Sequence, residues 1–239
     1  MDPIELLQPD KGYRYNLDSM LLAQFANIKE GETVCDLGAG VGVLAILSLL
    51  RGKAAKATAV EVQEELAHYI QLNQIKFKLE KKLEILCCNW KELKKHLATQ
   101  SMDVILSNPP YRKAESGKPP LNGLKAIAKN EIKGNMQDLI SSARFLMKKK
   151  ARFLVIYPNL RLEDFLSELS RQKLKIQRLC FIHPFADRPA THFMAEVVFS
   201  VAGEIKVEKP LIIYQNEDQY TEEIENWLGS PKKHLHKKS

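Results

Sequence analysis

The chain has 239 residues, 45% of them hydrophobic and 27% charged, and 36 Lys and Arg outweigh 29 Asp and Glu to give a net charge of +7. That length suits one large α/β domain, and the composition excludes a disordered chain, a collagen and a disulfide scaffold. The longest apolar run, Val41 to Leu50, is too short to cross a bilayer, and the acidic start Met1-Asp2-Pro3-Ile4-Glu5 predicts no secretory signal.

Four cysteines, Cys35, Cys87, Cys88 and Cys180, sit in apolar runs. They are expected as reduced core thiols of a cytoplasmic protein. No Cys or His spacing predicts a metal site, and no membrane contact or obligatory protein partner is implied. The positive balance serves solubility and equally makes nucleic acid a candidate partner. Basic residues gather between Arg112 and Lys133 and in the tail after Pro231, whereas Glu217, Asp218, Glu222, Glu223 and Glu225 form an acidic patch expected to face away from an RNA.

In chain order, a helix is predicted over Asp18 to Ala26, with Asp18 able to cap it. Thr33 to Leu37 reads as a buried strand that runs into Gly38-Ala39-Gly40-Val41-Gly42 and then into a helix ending near Gly52. A strand over Ala57 to Glu61 precedes a helix from Gln63 to Lys78, whose inner face is Leu66, Ile70, Asn73 and Phe77. Leu83 to Cys87 is a third strand, Trp90 to Leu97 a short helix, and Met102 to Ser107 a fourth strand. Prolines and glycines make the stretch up to Gly134 a loop. A helix over Met136 to Met147 follows, with Lys148-Lys149-Lys150 placed beyond it to complement the negative helix end or touch phosphate. Arg152 to Tyr157 is strand five. Leu160 to Gln172 is a helix with Leu162, Phe165, Leu166 and Leu169 inward. Leu174 to Ile182 and Phe193 to Val201 are two final strands, joined through Arg188-Pro189-Ala190-Thr191 as a plain hairpin. The alternation predicts βαβ crossovers and a mostly parallel sheet.

The turn after the first strand carries chemistry. Gly38, Gly40 and Gly42 let the backbone approach a ligand without a Cβ in the way. Asp36 inside the strand is unsuited to a pyrophosphate but suited to the ammonium group of S-adenosylmethionine. Glu61, ending the next strand, can accept both hydroxyls of a ribose. Ala39, Val62 and Trp90 are counted with this cofactor site. Asn89 suits the adenine edge or the N-cap of the helix that starts at Trp90, and the two roles are compatible. Trp90 and Trp227 are also expected to pack.

Asn108-Pro109-Pro110-Tyr111 follows strand four. An exocyclic amino nitrogen conjugated with its ring is a poor nucleophile. The Asn108 side-chain oxygen and the Pro109 carbonyl can each accept one of its N–H groups and turn its lone pair toward a sulfonium methyl. Prolines stiffen the turn, and Tyr111 offers a face on which a planar base stacks. This motif resembles that of the amino-methyltransferases with an Asn/Asp-Pro-Pro-Tyr/Phe/Trp turn. The resemblance implies a Rossmann-like methyltransferase fold, with a mostly parallel seven-stranded sheet and helices on both faces.

A second stretch, Gln8-Pro9-Asp10-Lys11-Gly12-Tyr13-Arg14-Tyr15-Asn16-Leu17-Asp18-Ser19, resembles the opening of the tRNA-valine adenine-N6 methyltransferase family, which acts in the anticodon loop. So does the basic stretch around Ser116 to Pro119 and Ala128 to Glu131. The resemblance spans roughly residues 8 to 200. It implies that Tyr13, Arg14, Tyr15 and Asp18 border the cofactor, with Asp18 near its methionine end, and that Asn108 also meets the cofactor. Relatives often have His-Glu where this chain has Asn130-Glu131, and Asp where it has Asn89.

The expectation is transfer of a methyl group from S-adenosylmethionine to an adenine N6 in RNA, tRNA first. Tyr111, Arg112, Lys113, Lys118 and Lys129 would contact the substrate. Expected divisions are a cofactor-covering segment (1–30), a methyltransferase domain (31–202) and a C-terminal extension with a basic tail (203–239). A protein glutamine methyltransferase could use the same turn, but it usually carries a helical substrate domain before the glycine turn, and only 35 residues precede Asp36 here. Guanine or DNA adenine is a further alternative. A non-catalytic RNA-binding factor fits least.

Overall fold

The computed structural model describes residues 4–10, 17–109, 136–200 and 203–228. Among the described residues nine strands form one sheet: β1 (Thr33–Leu37), β2 (Lys56–Glu61), β3 (Leu83–Cys87), β4 (Met102–Ser107), β5 (Met147–Pro158), β6 (Leu174–His183), β7 (His192–Phe199), β8 (Lys206–Val207) and β9 (Leu211–Ile212). Their order is β3-β2-β1-β4-β5-β7-β6-β8, with β9 also paired to β6. The pairs from β3 through β5 are parallel. Only β7 runs against its neighbours, because a hairpin carries it back between β5 and β6. The seven long strands match the expectation. The two-residue β8 and β9 extend the sheet beyond it, and β10 (Tyr214–Asn216) pairs with β11 (Gln219–Tyr220) as a separate ribbon.

Both faces of the sheet are covered, which explains why the central strands read as unbroken apolar runs. Val34, Val104, Leu106, Leu154 and Ile156 point to one side, where α1 (Leu17–Ala26), α2 (Val43–Leu50) and α3 (Glu64–Lys76) pack. Cys35, Ile105, Phe153 and Val155 point to the other, beneath α4 (Met136–Leu146) and α5 (Leu162–Arg171). On this second face Tyr157, Phe165 and Phe193 meet with centroids 5.7–6.3 Å apart. The C-terminal α6 (Glu222–Leu228) inserts Ile224 into the first core. Among the described residues no helix is long and apolar enough to cross a membrane, and no cluster of His, Cys, Asp or Glu could hold a metal.

Several local expectations are corrected. The lysines Lys148, Lys149 and Lys150 follow the end of α4 at Leu146 as expected, but they lie within β5 rather than in a loop: the strand starts at Met147 opposite Met102 and bulges before Arg152 meets Val104. Lys148 Nζ instead binds Asp103 Oδ2 at 2.8 Å, and that carboxylate also accepts the Thr33 hydroxyl and amide. The first helix starts at Leu17, so Asp18 lies in its opening turn rather than at the cap. Cys35 and Cys180 are buried, but Cys87 is exposed on the edge strand β3. Leu160 precedes α5, 94% exposed, and Leu166 is exposed on its outer face. Phe77 stands at the C-cap of α3 and packs, partly buried, against the core as expected, and Asn73 is fully buried. It exchanges hydrogen bonds with the Leu7 backbone (2.7 and 2.9 Å) and donates to Val41 O (3.1 Å), tying the N-terminal segment to the glycine turn.

The end of α1 is held by two arginines from the sheet. Arg152 donates to Ala26 O at 2.8 Å and grips both oxygens of Glu32 at 2.8 and 2.9 Å. Arg178 donates to Phe25 O at 2.6 Å and to Glu196 at 2.8 Å, with its guanidinium 3.9 Å from the Phe25 ring centre. Helix-end carbonyls concentrate negative potential, so cations there fix the helix.

Candidate active site

The carboxyl ends of β1, β2 and β4 converge on the glycine turn, the place where open α/β sheets bind ligands. Gly38, Gly40 and Gly42 all adopt positive φ (78°, 59° and 89°), a conformation costly for residues with a Cβ. Gly38 and Ala39 donate their amides to Val60 O at 2.9 and 3.0 Å, which folds the turn back over β2. A Cβ on Gly38 would stand 3.2 Å from Trp90 Cζ3, so the indole closes one side of the turn.

Two buried carboxylates organise this cradle. Glu61 Oε2 accepts the Gly40 amide at 2.9 Å, and Oε1 accepts those of Val62 and Gln63, each at 2.9 Å. Burial still pushes its pKa upward, against the pull of those donors. A carboxylate has about four acceptor directions, so Glu61 keeps capacity for a ligand hydroxyl. Asp36 Oδ2 accepts the Ala45 amide in the first turn of α2 at 3.2 Å, while Oδ1 is buried without a hydrogen-bond partner among the described residues. Burial pushes Asp36 to about 7, the Ala45 bond opposes this, and the Glu61 charge adds to the rise. An orphaned carboxylate oxygen at a glycine turn calls for a cationic donor, which fits the ammonium of an amino-acid-like ligand.

Beyond β3, Asn89 Oδ1 accepts the Lys91 amide at 3.0 Å and so caps the 3-10 turn Trp90–Lys95. Trp90 is held by Ser142, whose hydroxyl donates to Trp90 O at 3.0 Å, and its indole N–H finds no partner among the described residues. The indole therefore both packs, as expected, and walls the turn.

The turn after β4 abuts the glycine turn. Ser107 Oγ donates to Leu37 O at 2.7 Å, the carbonyl just before Gly38. Asn108 follows, half-buried, and Pro109 is buried. Asn108 Nδ2 donates to Ser19 Oγ of α1 at 2.9 Å. Thus Asp36, Gly38, Ala39, Gly40, Glu61, Val62, Asn89, Trp90, Asn108 and Pro109 gather at one end of the sheet. Asp18 lies next to Ser19 on α1. Tyr13, Arg14, Tyr15, Pro110, Tyr111, Arg112, Lys113, Lys118 and Lys129 lie outside the described residues. Ser19 and Ser107 were not among the residues the sequence singles out: a serine within a helix or ending a strand carries no signal of a partner far along the chain.

A family model described as the methyltransferase small domain matches residues 14–176. A tRNA1(Val) (adenine(37)-N6)-methyltransferase from Pseudoalteromonas translucida is 25% identical over 211 residues, covering 88% of this chain and 87% of its own. One of the same name from Pedobacter heparinus is 24% identical over 218 residues, covering 91% and 90%. Among solved structures, a predicted O-methyltransferase from Agrobacterium tumefaciens aligns with a TM-score of 0.71 at 18% identity, over 89% of this chain and 95% of that one. A SAM-dependent methyltransferase from Aquifex aeolicus aligns at 0.52 and 18% identity, over 75% and 88%. These two likenesses show a shared fold.

Proposed function

Because the chain belongs to the methyltransferase small-domain family, we propose that it methylates the N6 amino group of an adenine in RNA, with S-adenosylmethionine as donor and tRNA as the RNA. The observation that carries this reading is the seating of Asn108 directly beyond Ser107, whose hydroxyl is bonded to the carbonyl that opens the glycine turn. An amine held by Asn108 therefore lies beside the cradle formed by Asp36, Gly38, Gly40 and Glu61.

In this reading the oxygen of Asp36 that has no partner among the described residues receives the donor's ammonium, and Glu61 adds a ribose hydroxyl to the three backbone amides it already accepts. When bound, S-adenosylmethionine would supply an electrophilic sulfonium methyl: the N–CH3 bond would form in line as the S–CH3 bond breaks, with the thioether as leaving group and one N–H proton lost to solvent. Asn108 Oδ1 and the Pro109 carbonyl accept hydrogen bonds from the two amino N–H groups, localising the nitrogen lone pair and aiming it. Pro110 stiffens the turn and Tyr111 stacks on the base. An anticodon-loop adenine is extruded at lower cost than a paired one. Arg112, Lys113, Lys118 and Lys129 supply phosphate contacts, and the acidic helix α6 stays off the RNA. Tyr13, Arg14, Tyr15 and Asp18 border the donor, with residues 1–30 as the covering segment, 31–202 as the catalytic unit and 203–239 as the extension. The relatives' names support adenine in tRNA as the acceptor.

The test incubates the protein with labelled S-adenosylmethionine and total tRNA, genomic DNA or protein extract, followed by digestion and identification of the labelled unit. N6-methyladenosine from tRNA is expected. Label confined to protein glutamine, guanosine or DNA would overturn the reading.

A further inference from the structure

Ser19 is a polar side chain 4% exposed near the start of α1, and its hydroxyl accepts Asn108 Nδ2 at 2.9 Å across 89 residues of sequence. The proposed chemistry gives Ser19 no task. A side-chain amide has two ends of nearly equal shape and opposite hydrogen-bonding character. To accept an N–H from a substrate amine, Asn108 must present its oxygen. Turned over, it would set its own NH2 against the substrate's NH2, donor against donor. Engaging Nδ2 with Ser19 directs Oδ1 away from α1.

The support behind Ser19 is rigid. The residue rides on a helix whose last carbonyls are gripped by Arg152 and Arg178, and Leu21 and Leu22 beside it are buried in the core. On its other flank the β4 turn is fixed by the Ser107 bond to Leu37 O. A group that must be held within a fraction of an ångström is best held by elements of this kind.

We propose that Ser19 is a positioning residue: by accepting the Asn108 amide N–H it anchors Nδ2 at α1, in the orientation that turns Oδ1 toward the substrate amino group. The inference rests on the functional reading above. It makes Ser19 matter to turnover and not to the affinity for either substrate.

The experiment compares wild type with Ser19→Ala, Ser19→Thr, Asn108→Asp and the double variant Ser19→Ala/Asn108→Asp. Single-turnover methylation, RNA KM, donor affinity and thermal melting are measured for each. Ser19→Ala should lower the methylation rate about tenfold or more while KM and donor affinity stay within about twofold, and Ser19→Thr, which keeps the hydroxyl, should recover most of the rate. A carboxylate at position 108 has two equivalent oxygens and no wrong end, so adding Ser19→Ala to Asn108→Asp should cost no more than about twofold. Should Asn108→Asp not turn over, the contrast between Ala and Thr at position 19 decides. Independently of activity, the Asn108 side-chain NH2 signals in an NMR spectrum should shift on Ser19→Ala and stay near their wild-type positions on Ser19→Thr. An unchanged rate in Ser19→Ala, an equal loss in the Asn108→Asp background, or unmoved NH2 signals would overturn the inference while leaving the functional reading intact. A wild-type protein that methylates no amino acceptor would bring both down.

Discussion

The Glu61 carboxylate accepts the Gly40 amide at 2.9 Å, so the acidic residue ending β2 also braces the glycine turn that follows β1. Its other oxygen takes two further amides, from Val62 and Gln63. Removing the charge therefore has two consequences. Glu61→Gln sets an NH2 against at least one of these amides and should lower stability by about 2 kcal/mol. Calorimetric donor binding should weaken at least tenfold, by the arithmetic of about 1.4 kcal/mol per decade. A variant with a lowered melting temperature but wild-type donor affinity would show that Glu61 only braces the turn.

Asp36 predicts a pH dependence with a definite sign. Burial lifts its pKa from 3.8 to about 7 in the folded protein, so the folded chain holds a proton that the unfolded chain has already released between those values. Its contribution to stability is greatest at low pH and falls as pH rises toward and through 7. The melting temperature of the donor-free protein should decline across that window, and Asp36→Asn should flatten the decline by roughly 5 °C. A cationic ligand favours the ionised carboxylate, so donor affinity should increase as pH rises through 7, and this increase should vanish in Asp36→Asn. Parallel melting curves for the two proteins would contradict the assignment.

Gly38 is constrained twice, by its φ of 78° and by the indole 3.2 Å from where a Cβ would stand. Gly38→Ala should cost about 1–2 kcal/mol in backbone strain alone and push Trp90 outward. Trp90 is one of only two tryptophans. Its displacement should change the intrinsic fluorescence and weaken donor binding together. Fluorescence matching wild type would mean that the indole accommodates the methyl without moving.

The basic residues from Arg112 to Lys133 predict a salt response if they contact phosphates. RNA affinity should fall about 100-fold between roughly 50 and 200 mM monovalent salt. Replacing Lys118 and Lys129 together with glutamine should reduce the slope of log affinity against log salt by about 1–2. A flat titration in the wild-type protein would remove this segment from the RNA interface.

The sequence by itself determined the α/β class, the bounds of β1, β3 and β4, and the glycine turn between β1 and α2. Apolar runs, turn residues and crossover lengths are local signals, and each is written in consecutive residues. It likewise set Asn108 at the end of a strand. Local pattern failed where pairing partners decided the outcome. Lys148, Lys149 and Lys150 have no strand-like alternation, yet they extend β5 because Met147 finds Met102 across the sheet. The insertion of β7 between β5 and β6 is equally a matter of partners. Only the tertiary structure could leave one oxygen of Asp36 without a donor among the described residues, bring the Gly40 amide to Glu61, and bring Ser19 to Asn108. Those contacts join residues that are distant along the chain and adjacent in space, and no periodicity in a one-dimensional string encodes which polar group a buried side chain will meet.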